Sequence, residues 1–147
     1  MTGKLNEANR FIEDVQIGEE LAELVKRPTA LQLFRYSAIT WNAHRIHFEP
    51  EYARREGHPD VLVQAHLHGA FLAQMVMDWA GPRARLLKFG WSNRGRAVPG
   101  DTLRCTGRVA AKQGSTVDVE FSESNQRSEI CAQGKATVSL PSQGDAD

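Results

Sequence analysis

Cysteine is scarce in this chain: Cys105 and Cys131 are the only two in 147 residues. Two thiols so far apart build neither a disulfide framework nor a zinc knuckle, and reduced thiols in a cytoplasm are the expected state. Net charge is missing too, since 18 basic residues offset 18 acidic ones. No overall field draws the molecule to nucleic acid or to an anionic membrane, so any anionic partner must be met locally. Long apolar runs are also lacking. The longest apolar stretch, Val61 to Trp79, is broken by Gln64, His66, His68, Gln74 and Asp78, which argues against a membrane span. Met1 to Phe11 has no apolar segment of the kind that directs secretion, so a cytoplasmic location is expected.

Histidine is absent from most of the chain as well, and all five fall between His44 and His68. Histidine titrates near neutral pH, so this clustering points to proton transfer or to a metal. The core of the cluster reads Trp41-Asn42-Ala43-His44-Arg45-Ile46-His47-Phe48-Glu49-Pro50, followed by Gln64-Ala65-His66-Leu67-His68-Gly69. A zinc site would have to draw on His44, His47, His66 and His68. Their spacing matches no known zinc motif, so no metal is expected.

A chain of this length implies one domain, which removes roughly 70% of the unfolded surface from water. The domain is read as 1–141, with 142–147 a disordered polar tail; no repeat or linker is visible. A turn at Gly18 leads to a short strand around Leu21 to Lys26. Thr29 is placed to cap a helix in which Leu31, Phe34, Ala38 and Ile39 share a face. Pro50 suits the first position of a short second helix that Gly57 closes. The most apolar helix candidate runs from about Ala65 to Trp79, roughly 22 Å at 1.5 Å per residue. Along it His66, Ala70, Gln74 and Asp78 form one narrow polar row. Gly69 breaks helix propensity there and fits close packing against a sheet.

Beyond Pro82 the period changes to two. A strand is expected near Leu86 to Ser92. Leu103, Cys105, Gly107 and Val109 then alternate with polar neighbours, as do Val117, Val119 and Phe121, and then Ile130, Ala132, Gly134, Ala136 and Val138. Cys105 falls on an apolar face and Cys131 on a polar one; neither reads as a nucleophile. Turns at Gln113-Gly114-Ser115 and Ser124-Asn125-Gln126 join these strands as an antiparallel meander. The fold class is α+β: a sheet of about five strands wrapped around one long helix.

This order of elements resembles the MaoC-like dehydratases of the hotdog fold, the group that includes (R)-specific enoyl-CoA hydratases. The resemblance runs over nearly the whole chain. It is carried by Phe11 to Gly18, the window Trp41 to Ala53, the start of the central helix, the segment Asn93 to Leu103, and the ending Gly134 to Pro141. In that family the window usually reads as an Asp, a spacer, then Asn-Pro-hydrophobic-His, with the Asp and the His catalytic. Here Asn42 takes the Asp position, His44 the Asn position, Arg45 the Pro position and His47 the His position. This form looks like fungal-type and mitochondrial hydroxyacyl-thioester dehydratases. The run Asp78-Trp79-Ala80-Gly81 looks like small hydratase subunits of actinobacterial steroid side-chain degradation, some of which work as heteromers.

The resemblance implies a hydro-lyase that adds water reversibly to an α,β-unsaturated thioester of coenzyme A or acyl carrier protein, with no further cofactor. His47 is the implied general base and Asn42 the group that orients the water, since an amide cannot exchange protons at neutral pH. The backbone N–H groups of Ala65 and His66 are the implied oxyanion donors, with Gln64 and His44 lining the substrate site. Gln64-Ala65 stands where the family often has His-Gly. Arg94 and Arg96 are the candidates for a coenzyme A phosphate. His58 and His68 are expected to pack or lie at the surface. A homodimer is implied, or a heteromer with a second hotdog subunit. Two alternatives stay open: a non-catalytic or half-site partner subunit, motivated by the missing Asp, and a thioesterase using Glu49 or Asp78.

Overall fold

The period-two segments form a single antiparallel sheet in the computed structural model of the protein, which describes residues 8–145. Its strands are β1 (Leu24–Lys26), β2 (Arg85–Asn93), β3 (Leu103–Gln113), β4 (Thr116–Ser124) and β5 (Ile130–Ser139). They lie in the order β1-β3-β4-β5-β2, so β4 is central and β2 forms one edge. Gly114 turns β3 into β4 at φ 57°, a left-handed conformation that glycine adopts without steric cost. Three helices accompany the sheet: α1 (Ala30–Thr40), α2 (Pro50–Arg55) and α3 (Ala65–Ala80).

The core lies between α3 and the inner face of the sheet. Leu67, Phe71, Leu72, Met75 and Val76 on the helix meet Leu103, Val109, Val119 and Val138 on the strands, all buried. Burying a side chain of this size contributes about 1.5–3 kcal/mol, so this layer is the main source of stability. The polar row His66, Ala70, Gln74 and Asp78 faces outward, as its spacing predicts. Gly69 explains itself in the packing: a Cβ there would lie 2.7 Å from the Trp91 indole, which β2 lays directly on the helix.

Four features differ from the sequence reading. β1 starts at Leu24 rather than Leu21; ahead of it, Gly18, Glu19 and Leu21 exchange backbone hydrogen bonds with Val109 and Gly107 of β3 around an isolated bridge, Glu20 to Arg108. The apolar face of α1 is turned outward, leaving Leu31 57%, Phe34 57% and Ile39 83% exposed while Leu33 and Ser37 face the core. Cys131, expected on the polar face, is fully buried. The pairing of β4 with β5 passes from Glu123–Ala132 to Ser124–Ile130, so Cys131 is the extra residue of a bulge that reverses the alternation. Burial pushes its thiol up to about 11 and that of Cys105 higher still, so neither is a thiolate near neutral pH. The tail, read as disordered, turns as a short 3-10 segment at Gln143–Asp145. There Ser142 and Gln143 bond to Glu13; residues 146 and 147 lie outside the described residues.

Candidate active site

His47 ends a 3-10 turn, Arg45–His47, that starts from His44. The chain enters this turn through Trp41, which closes α1 in the left-handed conformation at φ 57°, an unusual geometry for a tryptophan and one found at functional sites. The Asn42 N–H then bonds to the Ser37 carbonyl at 2.9 Å, and its side-chain Oδ1 accepts from the His44 N–H at 3.2 Å. The Asn42 amino group is left without a hydrogen bond among the described residues, on a half-buried side chain.

The His47 ring is 8% exposed, and its Nδ1 lies 2.8 Å from the Leu62 carbonyl oxygen. A carbonyl only accepts, so Nδ1 carries the proton and Nε2 presents its lone pair. Burial lowers the proton affinity of this ring below the ordinary value of 6.5, with a smaller contribution from nearby His44; the bond to Leu62 acts in the opposite direction. The result is a histidine that is neutral near pH 7 and oriented to take a proton. His44 packs edge-on to it with ring centroids 6.0 Å apart, and also contacts Tyr52.

The same strap of chain that holds His47 leads into α3. Its Leu62 N–H bonds to the Ile46 carbonyl, and its Val63 N–H to that of Ala97, both at 2.9 Å. Gln64 occupies the N-cap position without capping. Its side chain is fully buried and turns away to α1, where Nε2 donates to the Leu33 carbonyl at 2.7 Å and to Ser37 Oγ at 2.9 Å. The N–H groups of Ala65 and His66 are therefore left open on an exposed first turn, at the positive end of the helix. His66 packs against Trp91, whose indole N–H bonds to the Ala65 carbonyl at 3.2 Å. Gln64 thus positions the helix start from the interior, where the sequence reading placed it as a substrate contact.

The other expected residues separate. Arg96 bonds to the Gly57 carbonyl and His58 Nδ1, each at 3.3 Å, while the Arg94 side chain lines a hollow of about 1180 Å³ on the sheet with Trp91, Arg108 and Lys135. This hollow excludes His47. His68 is turned into the core and His66 outward, so the histidines considered for zinc meet different partners. Among the described residues no three His, Cys, Asp or Glu side chains are placed to hold a metal.

One pair escaped the sequence reading. His68 Nδ1 makes a short contact with Glu123 Oε1, both side chains being fully or almost fully buried, and Cys105 Sγ lies 3.7 Å from Glu123 Oε2. The signal was present in two registers. His68 stands one helical turn before Leu72 and two before Met75, and Glu123 continues the inward series Val117, Val119, Phe121. Two ionisable groups, each occupying an apolar position, mark a buried pair.

Comparison with known proteins gives the fold and the family. A mesaconyl-C(4)-CoA hydratase of Chloroflexus aurantiacus is 36% identical over 94 residues, 63% of this chain but only 32% of that protein's length. R-hydratase PhaJ1 of Pseudomonas aeruginosa superposes with a TM-score of 0.85 at 20% identity, over 92% of this chain and 88% of that one. A chain of the ChsH1-ChsH2 complex of Mycobacterium tuberculosis superposes at 0.80 and 21% identity, over 85% and 98%. These two likenesses establish the hotdog fold. Residues 7–93, more than half of the sequence and the stretch that carries His47 and the start of α3, match the profile of hydroxyacyl-thioester dehydratase type 2. The chain belongs to that family.

Proposed function

We propose that this protein catalyses the reversible addition of water to an α,β-unsaturated acyl thioester, giving the (R)-3-hydroxyacyl thioester. The observation that carries the reading is His47: buried, tied through Nδ1 to Leu62, and joined by three residues of strap to the open N–H groups of Ala65 and His66. In hydration, Nε2 of His47 takes a proton from water as the water oxygen bonds to Cβ. The π electrons move onto the thioester carbonyl, and the N–H groups of Ala65 and His66 receive the enolate oxygen. The imidazolium returns the proton to Cα, and the carbonyl reforms. Asn42 holds the water through its amide, so one proton carrier serves both transfers.

The acyl group is carried by coenzyme A or by a carrier protein. Arg96, next to the Ala97 carbonyl that anchors the strap, and Arg94 are the guanidinium groups proposed for a phosphate of that carrier. His44 lines the acyl site beside His47. No further cofactor is needed for this chemistry. No helix among the described residues is long and apolar enough to cross a membrane; a cytoplasmic location is proposed on the reduced thiols expected of Cys105 and Cys131. A second copy of the chain is proposed along β2, which presents a free edge with Leu86 39% and Leu87 49% exposed.

A second reading, a half-site subunit completed by another hotdog chain, is favoured by Asn42 standing where a carboxylate is usual. Thioester hydrolysis has no comparable support: Arg45 engages Glu49 at 2.8 and 2.5 Å, and Asp78 lies in the last turn of α3. The test follows the loss of enoyl-thioester absorbance with crotonyl-CoA and longer acyl chains. Hydration by the isolated chain, reduced about 10²- to 10⁴-fold in His47→Ala, is the expected result. Unchanged turnover in His47→Ala overturns the assignment, and activity appearing only with a second hotdog chain selects the half-site reading.

A further inference from the structure

We propose that the buried pair His68–Glu123 is the positioning device of the site, holding the first turn of α3 at a fixed depth and rotation on the sheet. The catalytic half of this inference rests on the hydratase reading above. His68 lies in the first turn of the stripe that α3 buries, and is 2% exposed; Glu123, on the central strand β4, is fully buried. A polar pair in such a place is not explained by stability, because well-packed apolar residues of similar volume do as well or better there. What the pair adds is direction. Apolar contacts let a helix slide or roll on a sheet at little cost, whereas a hydrogen bond fixes one atom against another.

The surroundings support that role. Three polar ties hold the start of α3, all within Gln64 to His68: Gln64 to α1, the Ala65 carbonyl to Trp91 on β2, and His68 to Glu123 on β4. Beyond His68, the inward side chains Phe71, Leu72, Met75 and Val76 are apolar, and the next polar tie comes only in the last turn, from the Trp79 indole to Glu19. His68 also closes the first helical turn, its N–H bonding to the Gln64 carbonyl at 3.2 Å. One residue therefore both completes the turn and nails it to the sheet. Glu123 is itself steadied: it pairs with Cys105 on β3, whose thiol lies 3.7 Å from its second oxygen. The N–H groups of Ala65 and His66 sit in the turn so held, and an oxyanion donor displaced by about 1 Å costs on the order of 10²-fold in rate.

The decisive variant is the double substitution His68→Leu/Glu123→Leu, which removes the tie while leaving no unpaired charge. It is expected to fold with a melting temperature equal to or above that of the parent. Its kcat for crotonyl-CoA hydration falls about 10- to 100-fold, while KM changes less than about twofold. Glu123→Gln, which keeps an acceptor for the ring, retains most of kcat. Amide hydrogen exchange supplies a readout independent of activity: the N–H groups of Leu67, His68 and Gly69 exchange faster in the double variant, and those from Val76 to Ala80 do not. A folded double variant with the parent's kcat and exchange rates overturns the proposal. If the parent hydrates no thioester, the hydratase reading fails separately, and unchanged exchange at the first turn alone refutes the positioning claim.

Discussion

Burial and the Leu62 carbonyl act on His47 in opposite senses, and burial prevails, so the ring loses its proton below its ordinary value of 6.5. The acid limb of the pH profile of kcat/KM is therefore expected below pH 6.5, and hydration persists in mildly acidic buffer. The same shift makes stability depend on pH. The unfolded chain binds a proton at His47 more readily than the folded one, so this contribution is complete above 6.5 and is lost as pH falls from 6.5 through the lower folded value. Urea midpoints at about pH 7.5 and 5.5 measure it, and His47→Gln shrinks the difference between them. His47 and Asn42 were picked out as candidates by the likeness of their window, Trp41 to Ala53, to the family's motif. The inward turn of the Gln64 side chain toward Leu33 and Ser37 was not legible, because burial leaves no mark in a single sequence. His68 and Glu123 were legible in principle, since each breaks an apolar series, but nothing in sequence says that two such breaks meet.

At the level of elements, most boundaries follow from punctuation. Thr29 caps α1 by accepting from the Gln32 N–H at 3.1 Å, Pro50 opens α2, and Gly81 ends α3. The strands were visible by alternation until a bulge interrupted it at Cys131, and bulges arise from cross-strand pairing that no local pattern encodes. The outward turn of α1 was hidden for a related reason: Leu31, Phe34 and Ile39 define an apolar face, but its direction is set by Leu33 and Ser37 docking on the core. The sheet also has a point of little tolerance. A Cβ at Gly134 would fall on the carbonyl oxygen of Gly90 across the β2–β5 ladder, and the Trp91 Cα lies 2.7 Å away. Gly134→Ala is expected to destabilise the protein by about 1–3 kcal/mol, read as a lower urea midpoint at unchanged slope. A midpoint within error of the parent would show that β2 gives way without cost.

For the molecule as a whole, the free edge of β2 is the surface proposed above for a second copy. A nine-residue strand paired with β5 on one side only, and carrying Leu86 and Leu87, is a template for pairing, and a second copy aligned antiparallel would extend the sheet across both subunits. Sedimentation at micromolar concentration is expected to give a dimer, and Leu87→Lys a folded monomer; a monomeric parent would refute this interface. The whole-molecule architecture, one long helix against about five antiparallel strands, was readable from the change of period at Pro82. Assembly was implied only by resemblance, since one chain records nothing of its neighbours. β2 is also the strand whose Trp91 lies on Gly69 and bonds to the Ala65 carbonyl, so the edge proposed for a partner is the back wall of the first turn of α3. Pairing that stiffens β2 would stiffen the N–H groups of Ala65 and His66 with it. Dilution is then expected to weaken turnover before it unfolds anything, with specific activity climbing as enzyme concentration rises until the edges are filled.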